Sequence, residues 1–313
     1  MQGLTMQLSE FPRFSNLTLE DKPLLDSLLK EAQPQISELT FTNLFVWNDS
    51  EPVQTSQFNE TVLIQRKRLR DGKTFLLPPL GKKALLEVMR SLRSMNVEGG
   101  LPAFYGFTSQ QAQLLENEFE KLEPGRDDWD YVYLTRDLAD LPGDRYHPKR
   151  NFISRCLSKY ECRYADIGPN EIHNCLQLQT RWCNLRNCSE VQGLEAENNA
   201  IKTAFENYEG LDIFGGAVYV DDKLEAFTLS EPLNNDTAVI HFEKANPEIE
   251  GLYQLVNQWF CQKVLGKFKY INREQDLGVP GLRKAKESYY PHHMVEKHIV
   301  HLAFDRGNAW AAV

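Results

Sequence analysis

The sequence lacks any apolar run close to the ~20 residues that a helix needs to cross a bilayer. Its first residues, MQGLTMQLSEFPRF, also lack the basic start and the apolar centre of a secretory signal. We therefore expect a cytoplasmic protein with no transmembrane segment.

Motifs for metal binding and for covalent catalysis are missing as well. The six cysteines form no CxxC pair; Cys183 and Cys188 could ligate a metal, but no second pair completes a tetrahedral set. We predict reduced thiols and no metal site. No GxSxG run, and no cysteine beside a histidine in a recognisable context, indicates a nucleophile.

Positive charge is scarce, since 35 basic residues face 44 acidic ones and the net charge is -9. This balance argues against broad nucleic-acid binding, which depends on many phosphate contacts. A local basic patch could still hold a small anionic group, such as the acceptor end of a tRNA. The basic run at residues 66–70 is interpreted as a solvated strand end rather than as such a patch.

What the sequence contains is an alternation of strand and helix patterns, which predicts a mixed α/β fold. Strands are expected at 53–58, 61–67 and 130–134, and helices at 18–32, 82–95, 109–122 and 146–160. Residues 41–47 read as a strand or as a helical turn. The histidines at 292, 293, 298 and 301 are expected in one final edge strand. A length of 313 residues favours two domains, and Leu141-Pro142-Gly143 is the best boundary.

The densest cluster of charge is the stretch 272–291, NREQDLGVPGLRKAKESYYP. It should change from a strand to a short helix that begins at Pro280, because a fixed φ suits a helix start. Arg273, Glu274 and Asp276 would then lie at the strand end, with Arg283 and Lys286 on one helix face. The alternative is a solvated helix with a few surface ion pairs.

This stretch, together with FTNLFVWND (41–49), YHPKRNFISRC (146–156) and HFEKAN (241–246), resembles the DUF2156 family. That family is related to the cytosolic catalytic domain of phosphatidylglycerol lysyl- and alanyl-transferases. The resemblance implies two tandem acetyltransferase-like (GNAT) domains, here residues 1–141 and 142–313, with the catalytic groove on the second.

The resemblance also directs attention to the junction at residues 243–251, where a GNAT-like helix would present free N–H groups to an anion. The usual acetyl-coenzyme A loop of a basic residue and closely spaced glycines is missing there. Only Gly251 is present, and Glu248 and Glu250 would repel a pyrophosphate. This departure favours aminoacyl-tRNA over acetyl-coenzyme A as the donor.

Aminoacyl transfer needs donors for an oxyanion, a carboxylate for the α-amino group and a base. Arg283 and Lys286 are the candidates for the first role, Glu243 or Asp276 for the second, and Glu274 or Asp276 for the third. Glu243, Asp276 and Arg283 are expected to meet in one cleft. The predicted catalytic residues are Glu243, Asp276, Arg283 and Lys286, and the predicted substrate-binding residues are Lys149, Arg150, Lys244, Asn246, Arg273, Glu274 and Tyr289.

Each candidate also has a structural interpretation. Glu243 and Lys244 can form an ordinary strand-end pair, and Asp276 can cap a turn. Lys149 and Arg150 can form the wet face of a helix, and His241 can be a packed core histidine.

The leading hypothesis is a soluble acyltransferase that moves an aminoacyl group from aminoacyl-tRNA to a lipid or to a small amine or hydroxyl acceptor. The alternatives are a coenzyme A-dependent N-acyltransferase and a non-catalytic ligand-binding module. The sequence does not define the oligomeric state.

Overall fold

A computed structural model describes residues 8–302 except 96, 98, 99, 123 and 124. The strands are β1 (Ser15–Asn16), β2 (Val53–Phe58), β3 (Thr61–Lys67), β4 (Thr74–Leu76), β5 (Leu80–Gly81), β6 (Phe104–Phe107), β7 (Glu120–Leu122), β8 (Asp130–Leu134), β9 (Cys162–Asp166), β10 (Phe214–Val220), β11 (Lys223–Pro232), β12 (Thr237–Ala245), β13 (Tyr270–Asn272), β14 (His293–Val295) and β15 (His298–His301).

The α-helices are α1 (Lys22–Ala32), α2 (Phe41–Val46), α3 (Leu85–Ser94), α4 (Ser109–Leu115), α5 (Thr135–Asp140), α6 (His147–Lys159), α7 (Pro169–Arg186), α8 (Gln192–Glu206), α9 (Tyr208–Leu211), α10 (Leu252–Lys263) and α11 (Pro280–Glu287). Helix α11 begins at Pro280 as predicted, and residues 41–47 are helical rather than extended. None of the described helices is both long and apolar enough to cross a bilayer.

The strands form two mixed sheets. The first has the order β1-β2-β3-β4-β6-β15-β7, with β5 paired to β3, and the second has the order β14-β8-β13-β12-β11-β10-β9. Strand β8 comes from the first half of the chain but lies in the second sheet, and β15 comes from the end of the chain but lies in the first. The two sheets therefore do not correspond to the two predicted domains, 1–141 and 142–313. The division into these domains stays a prediction. Residues 1–7 and 303–313 of the predicted ranges lie outside the described residues.

Three apolar clusters hold these layers together. One lies between the two sheets, a second packs α5, α6 and α10 on the outer face of the second sheet, and a third packs α3 and α4 on the first sheet. Helix α10 illustrates the sequence logic, because its buried Leu252, Leu255, Val256 and Phe260 recur at helical spacing. Burying this stripe directs the start of α10 toward the end of β12.

Two of the predicted elements differ from those in the structure. The helix expected at 109–122 ends at Leu115, because residues 120–122 pair with β15 instead. Its N-cap is Thr108, which exchanges hydrogen bonds with Gln111. The histidine-rich segment forms two short strands in different sheets rather than one edge strand, because β14 pairs with β8 and β15 pairs with β6 and β7.

The prediction for the cysteines is also corrected. Cys183 and Cys188 form a disulfide, while the other four cysteines are free thiols. Among the described residues, no group of three or more His, Cys, Asp or Glu side chains could hold a metal ion.

Candidate active site

The site begins where strands β12 and β13 separate. They pair in parallel only from Thr237–Tyr270 to Val239–Asn272, after which the two chains diverge. The register between β11 and β12 skips His241, so this residue is the extra one of a β-bulge. A bulge bends its strand and redirects a side chain, and bulges are frequent beside active sites. The edge of the sheet therefore opens between β12 and β13, and His241 lies at this opening.

Two ion pairs cross the gap, one on each face of the sheet. Glu274 Oε1 lies 2.9 Å from His241 Nδ1, and Arg273 Nη2 lies 2.9 Å from Glu243 Oε1. Neighbouring residues of an extended chain point to opposite faces, which separates the two pairs. Arg273 also lies over the rings of Tyr133 and Tyr289, so its pair belongs to the face covered by α10 and α11.

His241 is held between two carboxylates, since its Nε2 lies 2.8 Å from Glu231 Oε1. Burial alone would lower the pKa of His241, but the hydrogen bonds with Glu231 and Glu274 outweigh it and raise the pKa to about 9. The imidazole is therefore protonated at neutral pH. This histidine is a structural cation and not a base, in agreement with its interpretation as a packed residue.

Glu274 opens onto a cavity of about 330 Å³ between the two sheets. The walls combine charged side chains with aromatic and aliphatic ones, among them Glu38, Arg66, Arg68, Tyr105, Glu274 and Leu277. Glu274 has a φ of 58°, a conformation that is uncommon for a residue with a side chain. Such strain persists only where the surroundings fix it, and it clusters at functional sites.

The arginines of the cavity wall come from the basic run at 66–70. Its interpretation as a solvated strand end holds for the exposed Lys67 and Arg70, but not for Arg66 and Arg68, which are partly buried. Arg66 donates to Glu51 at 2.7 Å and to Asn43 at 2.8 Å. Arg68 forms a two-point ion pair with Asp71, whose pKa the hydrogen bond lowers to about 2. Each guanidinium is thus matched to an acceptor, because an unpaired charge would be costly at a partly buried position.

Behind the cavity lies a buried network that no local sequence pattern predicts. Lys297 is fully buried, and its Nζ donates to Glu38 Oε1 and to Asp130 Oδ1, each at 2.7 Å. Asp130 also accepts the Ser37 amide at 2.8 Å and Asn272 Nδ2 at 3.1 Å. The network ties both sheets together, because these residues come from β8, from the ends of β13 and β15, and from the segment before α2.

Two of the predicted catalytic residues, Asp276 and Arg283, contact each other. Arg283 Nε donates to Asp276 Oδ2 at 2.8 Å, and Asp276 also accepts Tyr131 OH at 2.6 Å and the Gly278 amide at 2.8 Å. Burial would raise the pKa of Asp276, but these hydrogen bonds outweigh it and hold the pKa well below its usual range. Asp276 is fully buried and caps the turn before α11, so it is a poor base.

The predicted meeting of Glu243 with Asp276 and Arg283 in one cleft is not found in the described residues. Glu243 contacts Arg273 and Asn257 instead, on the face covered by α10. Of all the predicted site residues, only Glu274 lines the cavity.

Lys286 is buried and supports the segment around Glu274. Its Nζ donates to the carbonyls of Arg273, at 2.5 Å, and of Gln275, the two residues that flank Glu274. Burial is the main reason that the pKa of Lys286 is lowered to about 8. These contacts fix the backbone that presents Glu274 to the cavity.

The predicted substrate-binding residues are dispersed. Lys149 Nζ donates to Ser288 Oγ at 2.6 Å and lies over the ring of Tyr289, which is buried, and burial lowers the pKa of Lys149 to about 8. Arg150 donates to the carbonyls of Leu141 and Gly143. Lys244 pairs with Glu197 at 2.7 Å, and Asn246 Nδ2 donates to Glu225 at 3.1 Å.

The start of α10, where a GNAT-like fold would bind a pyrophosphate, is covered by α6. A Cβ atom added to Gly251, the N-cap residue, would lie 2.1 Å from the carbonyl oxygen of Phe152. Glu250 pairs with Arg155 of α6 at 3.1 Å. Helix α6 therefore packs directly against Gly251, and the carboxylate of Glu250 adds negative charge beside the helix start, which disfavours an anion there.

Several residues of this site were missed from the sequence. Glu38 and Lys297 lie in ordinary apolar surroundings, SELTF and MVEKHIV, and no local pattern marks a buried ion pair. Arg66 and Arg68 belong to the basic run at 66–70, but their local sequence does not distinguish a solvated strand end from the wall of a cavity. The one indication in the sequence was that Glu38 lies three residues before FTNLFVWND, a segment that carries the family resemblance.

The structure thus places a polar cavity where β12 and β13 separate beside the bulge. The family model described as the C-terminal part of phosphatidylglycerol lysyltransferase matches residues 29–301. The chain belongs to this family. No curated protein matches the chain.

Solved structures agree with this assignment. A conserved protein of unknown function from Bacteroides thetaiotaomicron is 32% identical, with a TM-score of 0.84 over 92% of this chain and 98% of that one. The C-terminal domain of a putative lysylphosphatidylglycerol synthetase from Agrobacterium fabrum is 12% identical, with a TM-score of 0.61 over 90% and 91%. The lysylphosphatidylglycerol synthase (L-PGS) of Bacillus licheniformis is 12% identical, with a TM-score of 0.58 over 95% and 93%. Family and fold together indicate an acyltransferase.

Proposed function

We propose that this protein transfers an aminoacyl group from aminoacyl-tRNA to a lipid or to a small amine or hydroxyl acceptor, and that the cavity beside Glu274 receives the reacting groups. The observation that carries the proposal is the position of Glu274, strained and anchored by Lys286, at the split between β12 and β13. Rigid placement of reacting groups is a major source of rate enhancement.

In this reaction the acceptor's amine or hydroxyl attacks the ester carbonyl of the donor. A new C–N or C–O bond forms, the ester bond to the terminal ribose breaks, and the acceptor's proton passes to the ribose oxygen. Glu274 is the proposed carrier of that proton, because the alternative base, Asp276, is fully buried and fully engaged by donors. Arg66, at the cavity wall, is the cation we propose for the developing oxyanion.

The contacts of the other predicted residues favour supporting roles in the same proposal. Lys286 fixes the backbone on either side of Glu274, and Arg283 fixes the turn at Asp276. Arg273 and Glu243 close the outer face of the split. Lys149 remains a candidate for phosphate contact, because its ammonium is half-buried and bonds only to a neutral hydroxyl and an aromatic ring among the described residues.

The covered start of α10 supports aminoacyl-tRNA over acetyl-coenzyme A as the donor. We also propose that the two sheets represent two GNAT-like units that have exchanged β8 and β15, so that both units contribute to one cavity.

The test is incubation of the protein with a mixture of charged tRNAs and a cell extract that includes lipids, followed by mass spectrometry for a compound that gains an aminoacyl group. Glu274→Gln should reduce transfer by about a hundredfold or more, the usual contribution of a general base. Glu209→Gln, at an exposed position of α9, is the matched control and should leave transfer unchanged.

The competing functions give different results. Calorimetric binding of acetyl-coenzyme A without any aminoacyl product would favour the coenzyme A-dependent reaction. Binding of an amine or nucleotide with no turnover of any donor would favour a non-catalytic module.

A further inference from the structure

One residue that lines the cavity, Glu38, has a buried carboxylate oxygen for which the described residues supply no hydrogen-bond donor. Glu38 lines the cavity and is 6% exposed, and its Oε1 accepts Lys297 Nζ and Gln275 Nε2, both at 2.7 Å. Its other oxygen, Oε2, is buried and has no hydrogen-bond partner in the part of the chain that the structure describes. A buried polar atom in this state is expensive, and such atoms call for a specific explanation.

The charged side chains near Glu38 indicate which kind of ligand group its free oxygen would accept. Glu38 and Asp130 share the single ammonium of Lys297, so the buried network has one more carboxylate than cations. Arg66 also acts favourably on the charge of Glu38, but its guanidinium is paired with Glu51, and Arg68 is paired with Asp71. A second cation would therefore complete both the hydrogen bonding and the charge of the network.

We infer that Glu38 is a substrate-binding residue whose free oxygen accepts the ammonium group of an amino acid or aminoacyl ligand in the cavity. An ammonium supplies both a donor and the missing positive charge, whereas a hydroxyl supplies only a donor. That the ligand is an aminoacyl group rests on the proposed function. The amine site itself rests only on the cavity, on the free oxygen of Glu38 and on the excess of carboxylates over cations in the buried network.

Glu38 and Glu274 then have separate tasks in the same cavity. Glu274 is occupied at Oε1 by His241 and Asn43 and lies at the split of the strands, where the reaction is proposed to occur. Glu38 lies against Lys297 and Gln275 at the buried network and would hold one end of the ligand. A ligand fixed by its ammonium would present its carbonyl at a defined position, which is the requirement for transfer.

The experiment is calorimetric titration of the full chain with four small probes. L-alanine amide and L-lysine amide carry a free amine, N-acetyl-L-alanine amide has lost it, and lactamide replaces it with a hydroxyl. We expect the two amines to bind, and the acetylated and hydroxyl probes to bind at least about tenfold more weakly, because a charge-assisted hydrogen bond is lost.

Glu38→Gln should weaken binding of the amines by about tenfold or more, while Glu209→Gln should not change it. Because Glu38→Gln also removes a partner of Lys297, Glu38→Asp is the second variant: it keeps the charge but withdraws the oxygen from the ligand. We expect it to fold and to bind the amines more weakly than the unaltered protein does.

Equal binding of the lactamide and amine probes, or unchanged amine affinity in a folded Glu38→Gln or Glu38→Asp variant, would overturn the assignment. So would the absence of amine binding to the unaltered protein, even if transfer from charged tRNA were observed. Amine binding that depends on Glu38, in a protein that transfers nothing from any charged tRNA, would uphold the amine site and refute the proposed function.

Discussion

The buried ammonium of Lys297 provides the sharpest test of how this fold is held together. Its side chain is 0% exposed and forms ion pairs of 2.7 Å with Glu38 and with Asp130, whose side chains are 8% and 0% exposed. Replacing Lys297 by Met would keep most of the volume but leave two neighbouring carboxylates buried without a cation. Removing one partner of a buried ion pair costs about 3–5 kcal/mol, and we expect Lys297→Met to lower the free energy of unfolding by that amount.

The pH dependence of this loss separates an electrostatic cause from a packing cause. Without Lys297, burial and mutual repulsion should raise the pKa of both carboxyl groups in the folded protein above their unfolded values. A carboxyl group whose pKa is higher in the folded than in the unfolded protein destabilises the fold at pH values above the unfolded pKa. The destabilisation disappears at lower pH, where the group is protonated in both the folded and the unfolded protein. In the unaltered protein, burial would raise the pKa of Glu38, but Lys297 outweighs burial and the pKa is lowered, so this stabilisation fades as the pH falls. For Asp130, burial outweighs Lys297 and the pKa is already raised, so removing Lys297 only increases that shift. The difference between the two proteins should therefore shrink from about pH 7 to about pH 5.

The assay is urea unfolding followed by tryptophan fluorescence and circular dichroism at several pH values. Lys284→Met, at an exposed position of α11, is the matched control and should change stability by no more than about 0.5 kcal/mol. Adding Glu38→Gln and Asp130→Asn to Lys297→Met should recover part of the loss. A loss below about 1 kcal/mol, or one that stays constant with pH, would refute the view that the network is a strongly coupled buried ion cluster.

Two further predictions concern the split and the start of α10. Because the pKa of His241 is raised from 6.5 to about 9, its stabilisation is complete below the unfolded pKa and is lost as the pH rises through the folded one. The unaltered protein should therefore lose up to about 3 kcal/mol relative to His241→Gln over that interval in pH-dependent unfolding, whereas His173→Gln, at an exposed site, should keep the original slope. Gly251→Ala should destabilise the protein by about 2 kcal/mol or more in the same assay, because Gly251 has a φ of 86° and the new methyl group would meet the carbonyl of Phe152. Gly281→Ala, where an added Cβ has nothing within 4 Å, should be close to neutral, and equal stabilities of the two alanine variants would contradict this account of the covered helix start.

Local patterns predicted the elements around the site well. The strands predicted at 61–67 and 130–134 are found at those residues as β3 and β8, and Pro280 correctly indicated the start of α11. The predicted helix at 109–122 fails at its end because residues 120–122 find hydrogen-bond partners on β15, nearly 180 residues later in the chain. No local property of residues 120–122 predicts that they pair with a strand so distant in the sequence.

The candidate site was predicted in part. The stretch 272–291 was correctly singled out, and Glu274 lines the cavity. Asp276 and Arg283, which have the same charged character in the sequence, turn away from the cavity and lock the following turn. Strand alternation would place Glu274 and Asp276, two positions apart, on the same side. The left-handed backbone at Glu274 and Leu277 breaks the extended pattern, so one carboxylate lines the cavity and the other forms a structural ion pair.

The sequence by itself determined the mixed α/β pattern, the family and the segment that carries the site, because periodicity, turn residues and motif spacing are local properties of the chain. Only the tertiary structure decided that Glu38, Asp130 and Lys297 meet, across sequence separations of 259 and 167 residues. It also decided that the basic run at 66–70 lines a cavity and that the start of α10 is closed by α6. A carboxylate, an ammonium and a helix terminus acquire their chemistry from burial and from neighbours, and neighbours are set by the packing of the two sheets.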